Sequence, residues 1–366
     1  MMSLFVFQNL IWSQTFYDLP KPNLKREGVP HTRLEVVKNI KSDFDDDLFF
    51  AVPVLIIAGK DNYFYVFDQK LCQIFVFDGN YRCINQCLSI GQGPGQTPSA
   101  LNKALYVDRE GLLYCHDGIG DKILVYSQQG KYIKETRLYH HAYTLREFYP
   151  IYDSKGSLYT FSLKNGIVDK FDKNLKLVTT YLDNSLNRLS IFCRPDWEGW
   201  DAQHSKYAPR LAWEKPSMGN VFYDITADEK LFIFLHRSAT AYIFEKDKLV
   251  RKFAIHIDGI LQQYPKMVLE DIEAFKKRNS GRAYTNEMYV FFSCFLDKDA
   301  PFFYLQVNGD EGACALYQFD FNGKFTRIFD IYQQPAVFNS KRNGLYYGLS
   351  TNHYTPIIFK PTSKTK

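Results

Sequence analysis

The sequence lacks the motifs that mark several common classes of protein. None of its seven cysteines forms a C-x-x-C pair, and no Cys/His cluster resembles a zinc site. No G-x-S-x-G or H-E-x-x-H motif occurs, and no two carboxylates stand out as a general acid and base. Low-complexity sequence is limited to a short polar tail at residues 360–366. The sequence therefore offers no catalytic signature, and we favour a protein that is not an enzyme.

Long apolar runs are also missing. The apolar stretch Leu4–Trp12 is too short to span a membrane, and it has neither a basic region before it nor an A-x-A cleavage site. It ends in Trp-Ser-Gln and resembles the end of a Bacteroidetes-type signal sequence. We therefore expect residues 1–14 to be a signal-peptide remnant and the protein to be periplasmic or extracellular. A cytoplasmic location, which the odd cysteine count supports, is the alternative.

Charge of one sign is not concentrated anywhere in the chain. The net charge of +5 is spread along the sequence, and the densest basic cluster is Lys276-Lys277-Arg278. That cluster lies at the end of a predicted helix, where cations are favoured by the helix dipole. Because nucleic-acid binding requires a basic stripe or patch, we predict no nucleic-acid partner.

Aromatic residues are abundant and fall into a repeat. Aromatics make up 17% of the chain, which favours β-structure. Residues 58–84 and 107–133 share one pattern of alternating strands separated by Gly, Asn and Asp turns, as in antiparallel hairpins. One aromatic per repeat, in the predicted second strand, recurs at intervals of 42 to 73 residues. The six markers are Tyr65, Tyr114, Tyr159, Phe232, Tyr304 and Tyr346.

The repeat resembles a known family. Residues 89–117 contain a G-x-G-x-G turn, a strand, D-x-x-G and a second strand that ends in Asp. This order is similar to the NHL repeat of bacterial six-bladed β-propellers, most of them uncharacterised. The resemblance is good over residues 54–133 and degenerate beyond. It implies an all-β, six-bladed propeller from residue 15 to 366. We expect a monomer, because a closed ring buries its core without a second copy. The Gly91–Gly95 run is not a nucleotide loop, since it lacks Lys-Ser/Thr and a following helix.

The two ends of the chain are predicted to meet. The sequence ends soon after the third strand of the sixth repeat, so that repeat lacks an outer strand. Residues 33–40 read as a spare strand near the N-terminus. We expect this strand to complete the sixth blade and close the ring.

Two long insertions, near residues 182–218 and 258–287, interrupt the repeat between blades. The second reads as a short helix that begins at Pro265. In the topology that the resemblance implies, connections between blades lie at the same end of the ring as those between second and third strands. Loops on a rigid scaffold commonly carry binding sites. The candidate ligand-binding residues are Trp197, Trp200, His204, Tyr207, Trp213, Asp68, His116, Asp117 and His236.

Three functions remain open on this reading. The first is a binding propeller without cofactor or metal, for which the tryptophans form an aromatic wall for a carbohydrate, peptide or protein. The alternative is that the tryptophans bury the insertion against the ring and that Asp117 caps its turn. The second is a metal-dependent lyase or lactonase, if His116 and His236 meet a divalent ion at the channel mouth. The third is an intracellular scaffold.

Overall fold

The fold consists of strands and their connections. The structure, a computed structural model, describes residues 28–40, 50–100, 103–120, 122–137, 150–161, 167–182, 221–235, 240–255, 291–307, 315–331, 336–350 and 355–362. These residues form 24 strands and no helix. No helix among them could cross a membrane. The signal-peptide region, most of both insertions and the predicted helix at Pro265 lie outside the described residues.

After β1 (His31–Asn39), four antiparallel four-stranded sheets follow in order along the chain. The first blade is β2 (Pro53–Ala58), β3 (Phe64–Asp68), β4 (Gln73–Phe77) and β5 (Cys83–Cys87). The second is β6 (Lys103–Val107), β7 (Leu113–Asp117), β8 (Lys122–Tyr126) and β9 (Tyr132–Arg137). The third is β10 (Ile151–Tyr152), β11 (Leu158–Phe161), β12 (Val168–Phe171) and β13 (Leu177–Tyr181). The fourth is β14 (Val221–Ile225), β15 (Leu231–Leu235), β16 (Thr240–Glu245) and β17 (Lys248–Ala254).

The remaining strands form one eight-stranded sheet. Its first half, the fifth blade, is β18 (Phe291–Leu296), β19 (Phe302–Val307), β20 (Ala315–Asp320) and β21 (Phe325–Ile331). Its second half, the sixth blade, is β22 (Ala336–Arg342), β23 (Leu345–Ser350), β24 (Pro356–Pro361) and β1. All six aromatic markers lie in the second strand of their blade, as predicted.

Strand β1 joins the two ends of the chain. It pairs antiparallel with β24, so the predicted closing strand is confirmed. It also pairs parallel with β21 of the fifth blade, with Leu34 opposite Ile331. Nothing in the sequence indicates this second pairing, through which the fifth and sixth blades share one sheet. The Leu34 side chain is fully buried in the core between them.

Every blade shares a hydrophobic core with its neighbours. One core joins the first and second blades, and another joins the second, third and fourth. Further cores join the fourth to the fifth blade and the fifth to the sixth. A last core brings Tyr347 and Ile358 of the sixth blade against Phe64 and Phe75 of the first. The ring is therefore closed, and blades two and five face each other across its axis.

All six outer strands contain a β-bulge, and in five of them it lies at the same register position. In those five, one residue is skipped just after the turn that follows the third strand; in β1, which no turn joins to β24, the skipped residue lies one position further along the pairing. The skipped residues are all β-branched: Val37, Ile84, Ile133, Val178, Val250 and Thr326. A bulge increases the local twist of a strand and bends it. The outer strands of the first five blades are thus bent at the same position, although their sequences differ.

The marker tyrosines fix the turns between first and second strands. In three blades the tyrosine hydroxyl donates a hydrogen bond to the carboxylate that begins the turn: Tyr114 to Asp108, Tyr159 to Asp153 and Tyr304 to Asp297. In the fourth blade Phe232 replaces the tyrosine and Thr226 the aspartate, and the Thr226 hydroxyl accepts from the Lys230 amide. We call this end of the ring the turn end, and the opposite end the insertion end.

Candidate functional site

Asp117 organises the insertion end of the second blade. It ends β7, its carboxylate accepts a hydrogen bond from the Thr97 hydroxyl at 2.7 Å, and it pairs with the Lys103 ammonium at 2.7 Å. The amides of Ile119 and Gly120 also donate to it. The carboxylate therefore ties three segments together: the connection from the first blade, the start of β6, and the turn between β7 and β8.

The pKa of Asp117 reflects this environment. Burial by itself raises the pKa, but the hydrogen bonds from Lys103, Thr97 and the Gly120 amide outweigh burial and hold the pKa below its usual range. The carboxylate is thus ionised near neutral pH and has no proton to give. Its geometry is that of a turn cap, the role weighed against catalysis in the sequence analysis.

Asp68 caps the corresponding turn in the first blade. It ends β3, is fully buried, and accepts hydrogen bonds from the amides of Ala51 and Val52 at 2.6 and 2.8 Å. The amide of Leu71 donates to it at 2.9 Å. The carboxylate thereby holds the segment that enters the first blade against the turn between β3 and β4.

Exposed aliphatic side chains stand on these fixed segments. Val52 and Val54 are 39% and 37% exposed at the start of the first blade. Ile90 and Ile119 are 61% and 44% exposed on connections of the second blade. Ile90 bridges to Thr97, whose hydroxyl binds Asp117, so the two isoleucines flank one hydrogen-bonded group. The other exposed large aliphatics among the described residues lie in or beside the outer strands. We call Val52, Val54, Ile90 and Ile119 the aliphatic rim.

Close contacts link the segments that carry the rim in the first and second blades. The Cys72 thiol lies 3.8 Å from the Ser99 carbonyl oxygen, and the Thr97 hydroxyl oxygen lies 3.0 Å from the same carbonyl oxygen. These contacts connect the turn held by Asp68 to the connection held by Asp117. A single exposed valine or isoleucine has no signature in the sequence, so the rim could not be predicted. Only the capping carboxylates, at the ends of β3 and β7, point to it.

The His116 side chain is buried in the packing between blades and does not line the surface. It is 2% exposed, and in the sheet His116 stands between Ala104 and Ile123. Ile123 belongs to the core that joins blades two to four, and directly paired residues point to the same face of a sheet. The structure therefore places His116 between the second and third blades.

The other candidates fall elsewhere. Trp197, Trp200, His204, Tyr207, Trp213 and His236 lie outside the described residues. Among the residues that the structure describes, no group of three or more His, Cys, Asp or Glu side chains is placed to hold a metal ion.

Comparison with known proteins agrees with the fold. The model of a family described as a 6-bladed β-propeller matches residues 46–196. No curated protein matches the sequence. A candidate exported protein from Bacteroides fragilis is similar in structure, with 12% identity, a TM-score of 0.53, and coverage of 93% of this chain and 97% of that one.

Two lyase structures are also similar, with lower scores. A streptogramin B lyase has 12% identity and a TM-score of 0.47, with 90% of this chain and 88% of that chain covered. A catalytically inactive virginiamycin B lyase from Staphylococcus aureus, solved with quinupristin, has 10% identity and a TM-score of 0.47, with 92% and 97% covered. At these scores we draw nothing about activity. The chain is a β-propeller that resembles uncharacterised bacterial propellers of the six-bladed type.

Proposed function

We propose that the protein is a non-catalytic binding propeller that holds an uncharged, apolar segment of a peptide or protein at its insertion end. The observation that carries the proposal is the aliphatic rim, whose four side chains are exposed although the segments that bear them are tied down by Asp68 and Asp117. Contiguous exposed apolar surface on a soluble fold commonly marks an interaction site.

The fixed backbone matters for affinity. A binding surface that is already ordered loses little conformational entropy when its partner arrives. The buried carboxylates order the rim without presenting charge to the partner, since Asp68 and Asp117 are both fully buried. A partner with a charged face would gain nothing there, whereas apolar contacts would remove rim surface from water at about 25 cal/mol per Å².

We extend the site to the first insertion. In the observed topology the connection from β13 to β14, which contains residues 183–220, starts and ends at the insertion end. Trp197, Trp200 and Trp213, with His204 and Tyr207, would add aromatic contact area to the rim. We further propose export, on the apolar stretch at Leu4–Trp12 and the description of the Bacteroides fragilis relative.

The test is a selection of random dodecapeptides displayed on phage against the intact protein, followed by fluorescence anisotropy with the recovered peptides. We expect uncharged, apolar peptides to be enriched. Ile90→Asp and Ile119→Asp should each weaken their binding by at least about tenfold, equivalent to about 1.4 kcal/mol.

Ile133→Asp is the matched control, because Ile133 is 49% exposed but lies on the outer strand β9. It should change the dissociation constant by less than about twofold. Equal losses in all three variants, or enrichment of charged peptides only, would contradict the proposal.

A further inference from the structure

Residues from four blades meet at the turn end of the central channel. Tyr106 lies on β6, Tyr152 on β10 and Asp224 on β14, each the innermost strand of its blade. Lys298 follows β18, the innermost strand of the fifth blade. Because blades two and five are opposite each other, a contact between Lys298 and Tyr106 must cross the axis of the ring.

The contacts centre on the Lys298 ammonium. Its Nζ forms an ion pair with the Asp224 carboxylate and lies 5.6 Å from the centre of the Tyr106 ring. The Tyr106 hydroxyl donates a hydrogen bond to the Tyr152 carbonyl oxygen at 3.2 Å. The Lys298 ammonium of the fifth blade thus contacts residues of the second and fourth blades. The hydrogen bond from Tyr106 to Tyr152 links this group to the third blade.

The surroundings favour a cation. The Asp224 side chain is only 11% exposed, and a carboxylate that is largely buried is stabilised by a cation in contact with it. Burial raises the pKa of Tyr106 well above its usual value, and the carboxylates of Asp224, Asp108 and Glu229 raise it further. The ring face of Tyr106 and these carboxylates therefore act in the same direction, since both attract an ammonium group.

We infer that Asp224 and Tyr106 form an ammonium-binding site at the turn end of the channel, and that Lys298 occupies it as an internal ligand. The site takes a primary alkylammonium: the carboxylate accepts from its N–H groups, and the ring face contacts the charge. This inference does not depend on the ligand proposed for the insertion end.

The first test compares Lys298→Met with the wild-type protein by thermal unfolding at neutral pH. Methionine keeps the apolar stem but leaves Asp224 without a cation, so the Tm should fall by roughly 1–2 °C in a chain of this length. Adding Asp224→Asn to Lys298→Met should recover part of that loss. A Lys298→Met protein with the wild-type Tm would overturn the inference, because the lysine would then be only a space filler.

The second test is chemical rescue of Lys298→Ala. This variant lacks the four atoms that n-propylammonium supplies, so propylammonium chloride should raise its Tm more than an equal concentration of sodium chloride or propanol does. The wild-type protein should show no such difference, because its site is filled.

Lys170→Ala is the matched control. Lys170 also pairs with an aspartate, Asp247, at 2.8 Å and lies 5.5 Å from the centre of a tyrosine ring, Tyr159. Asp247 is 38% exposed, however, so water competes there and rescue should be small. Rescue of equal size in wild type, Lys298→Ala and Lys170→Ala would also overturn the inference.

Discussion

The Nζ of Lys103 lies 2.7 Å from Oδ1 of Asp117, and both side chains are entirely shielded from solvent. Removal of one partner from a buried pair leaves the other as an uncompensated charge, which costs far more than an exposed pair contributes. The pair sits beneath the aliphatic rim, so its loss should affect both stability and binding.

Lys103→Met should lower the free energy of unfolding by about 3–5 kcal/mol, because the Asp117 carboxylate would be buried without its cation. Urea denaturation followed by circular dichroism measures this. Lys60→Met is the control, since the Lys60–Glu110 pair is largely exposed and its loss should cost less than about 1 kcal/mol. If the two variants lose the same amount, the buried pair does not have the role assigned to it.

The lowered pKa of Asp117 makes stability depend on pH. A carboxylate with a pKa below its unfolded value of about 3.9 contributes stability above that value and loses it as the pH falls through the folded pKa. The wild-type free energy of unfolding should therefore decline below about pH 4. Asp117→Asn should decline less over that range, which urea titrations from pH 6 to pH 2.5 would detect. Parallel curves would contradict the assignment.

Deletion of residues 28–39 should weaken the whole ring rather than trim one end. β1 supplies Leu34 to the core shared by the fifth and sixth blades, and loss of one such side chain costs about 2–5 kcal/mol. Calorimetry should show one transition at lower temperature, and a synthetic peptide of residues 28–39 should raise it again. A Leu34→Asp peptide is the control and should not. Two separate transitions would mean that the blades unfold independently.

Tryptophan fluorescence should report ligand binding directly. Three of the four tryptophans, Trp197, Trp200 and Trp213, lie in the first insertion, so a peptide bound there should change the emission spectrum. Their replacement by alanine should weaken binding at least about fivefold. Trp12→Phe should leave affinity unchanged. A ligand that binds the rim without any change in emission would remove the insertion from the site.

A metal-dependent lyase would respond to chelation. Under the binding proposal, the purified protein should contain no stoichiometric divalent ion, and EDTA should leave the Tm and peptide affinity unchanged. Mass spectrometry for metals and a thermal-shift comparison check this. A bound ion whose removal lowers the Tm would contradict the binding proposal and support the metal-dependent alternative.

Much of the fold was predictable because the repeat has physical causes. Tyr114 and Tyr159 each donate a hydrogen bond to the aspartate that begins the turn before them. Because the turn depends on this bond, the tyrosine recurs at the same place in both repeats and can be found in the sequence. The closing strand was predictable because the sixth repeat lacked an outer strand. The parallel pairing of β1 with β21 was not, because parallel partners have no turn between them to mark the register.

The candidate site was only partly predictable. Asp68 and Asp117 were found because each ends a strand, but their partners Ala51, Thr97 and Lys103 come from other segments. The outer-strand bulges were also missed, because a β-branched residue is common in any strand. The Lys298 contact depends on the closed ring, which brings residues of opposite blades together.

The double pairing of β1 also sets when the protein can finish folding. Arg33 and Thr362, which are hydrogen bonded, are separated by 329 residues. At about 5–20 residues per second, a ribosome needs roughly 15–65 s to make the chain between them. For most of that interval Leu34 has neither of its neighbouring strands, because β21 and β24 are among the last strands to be made. The native ring can therefore form only when synthesis is nearly complete.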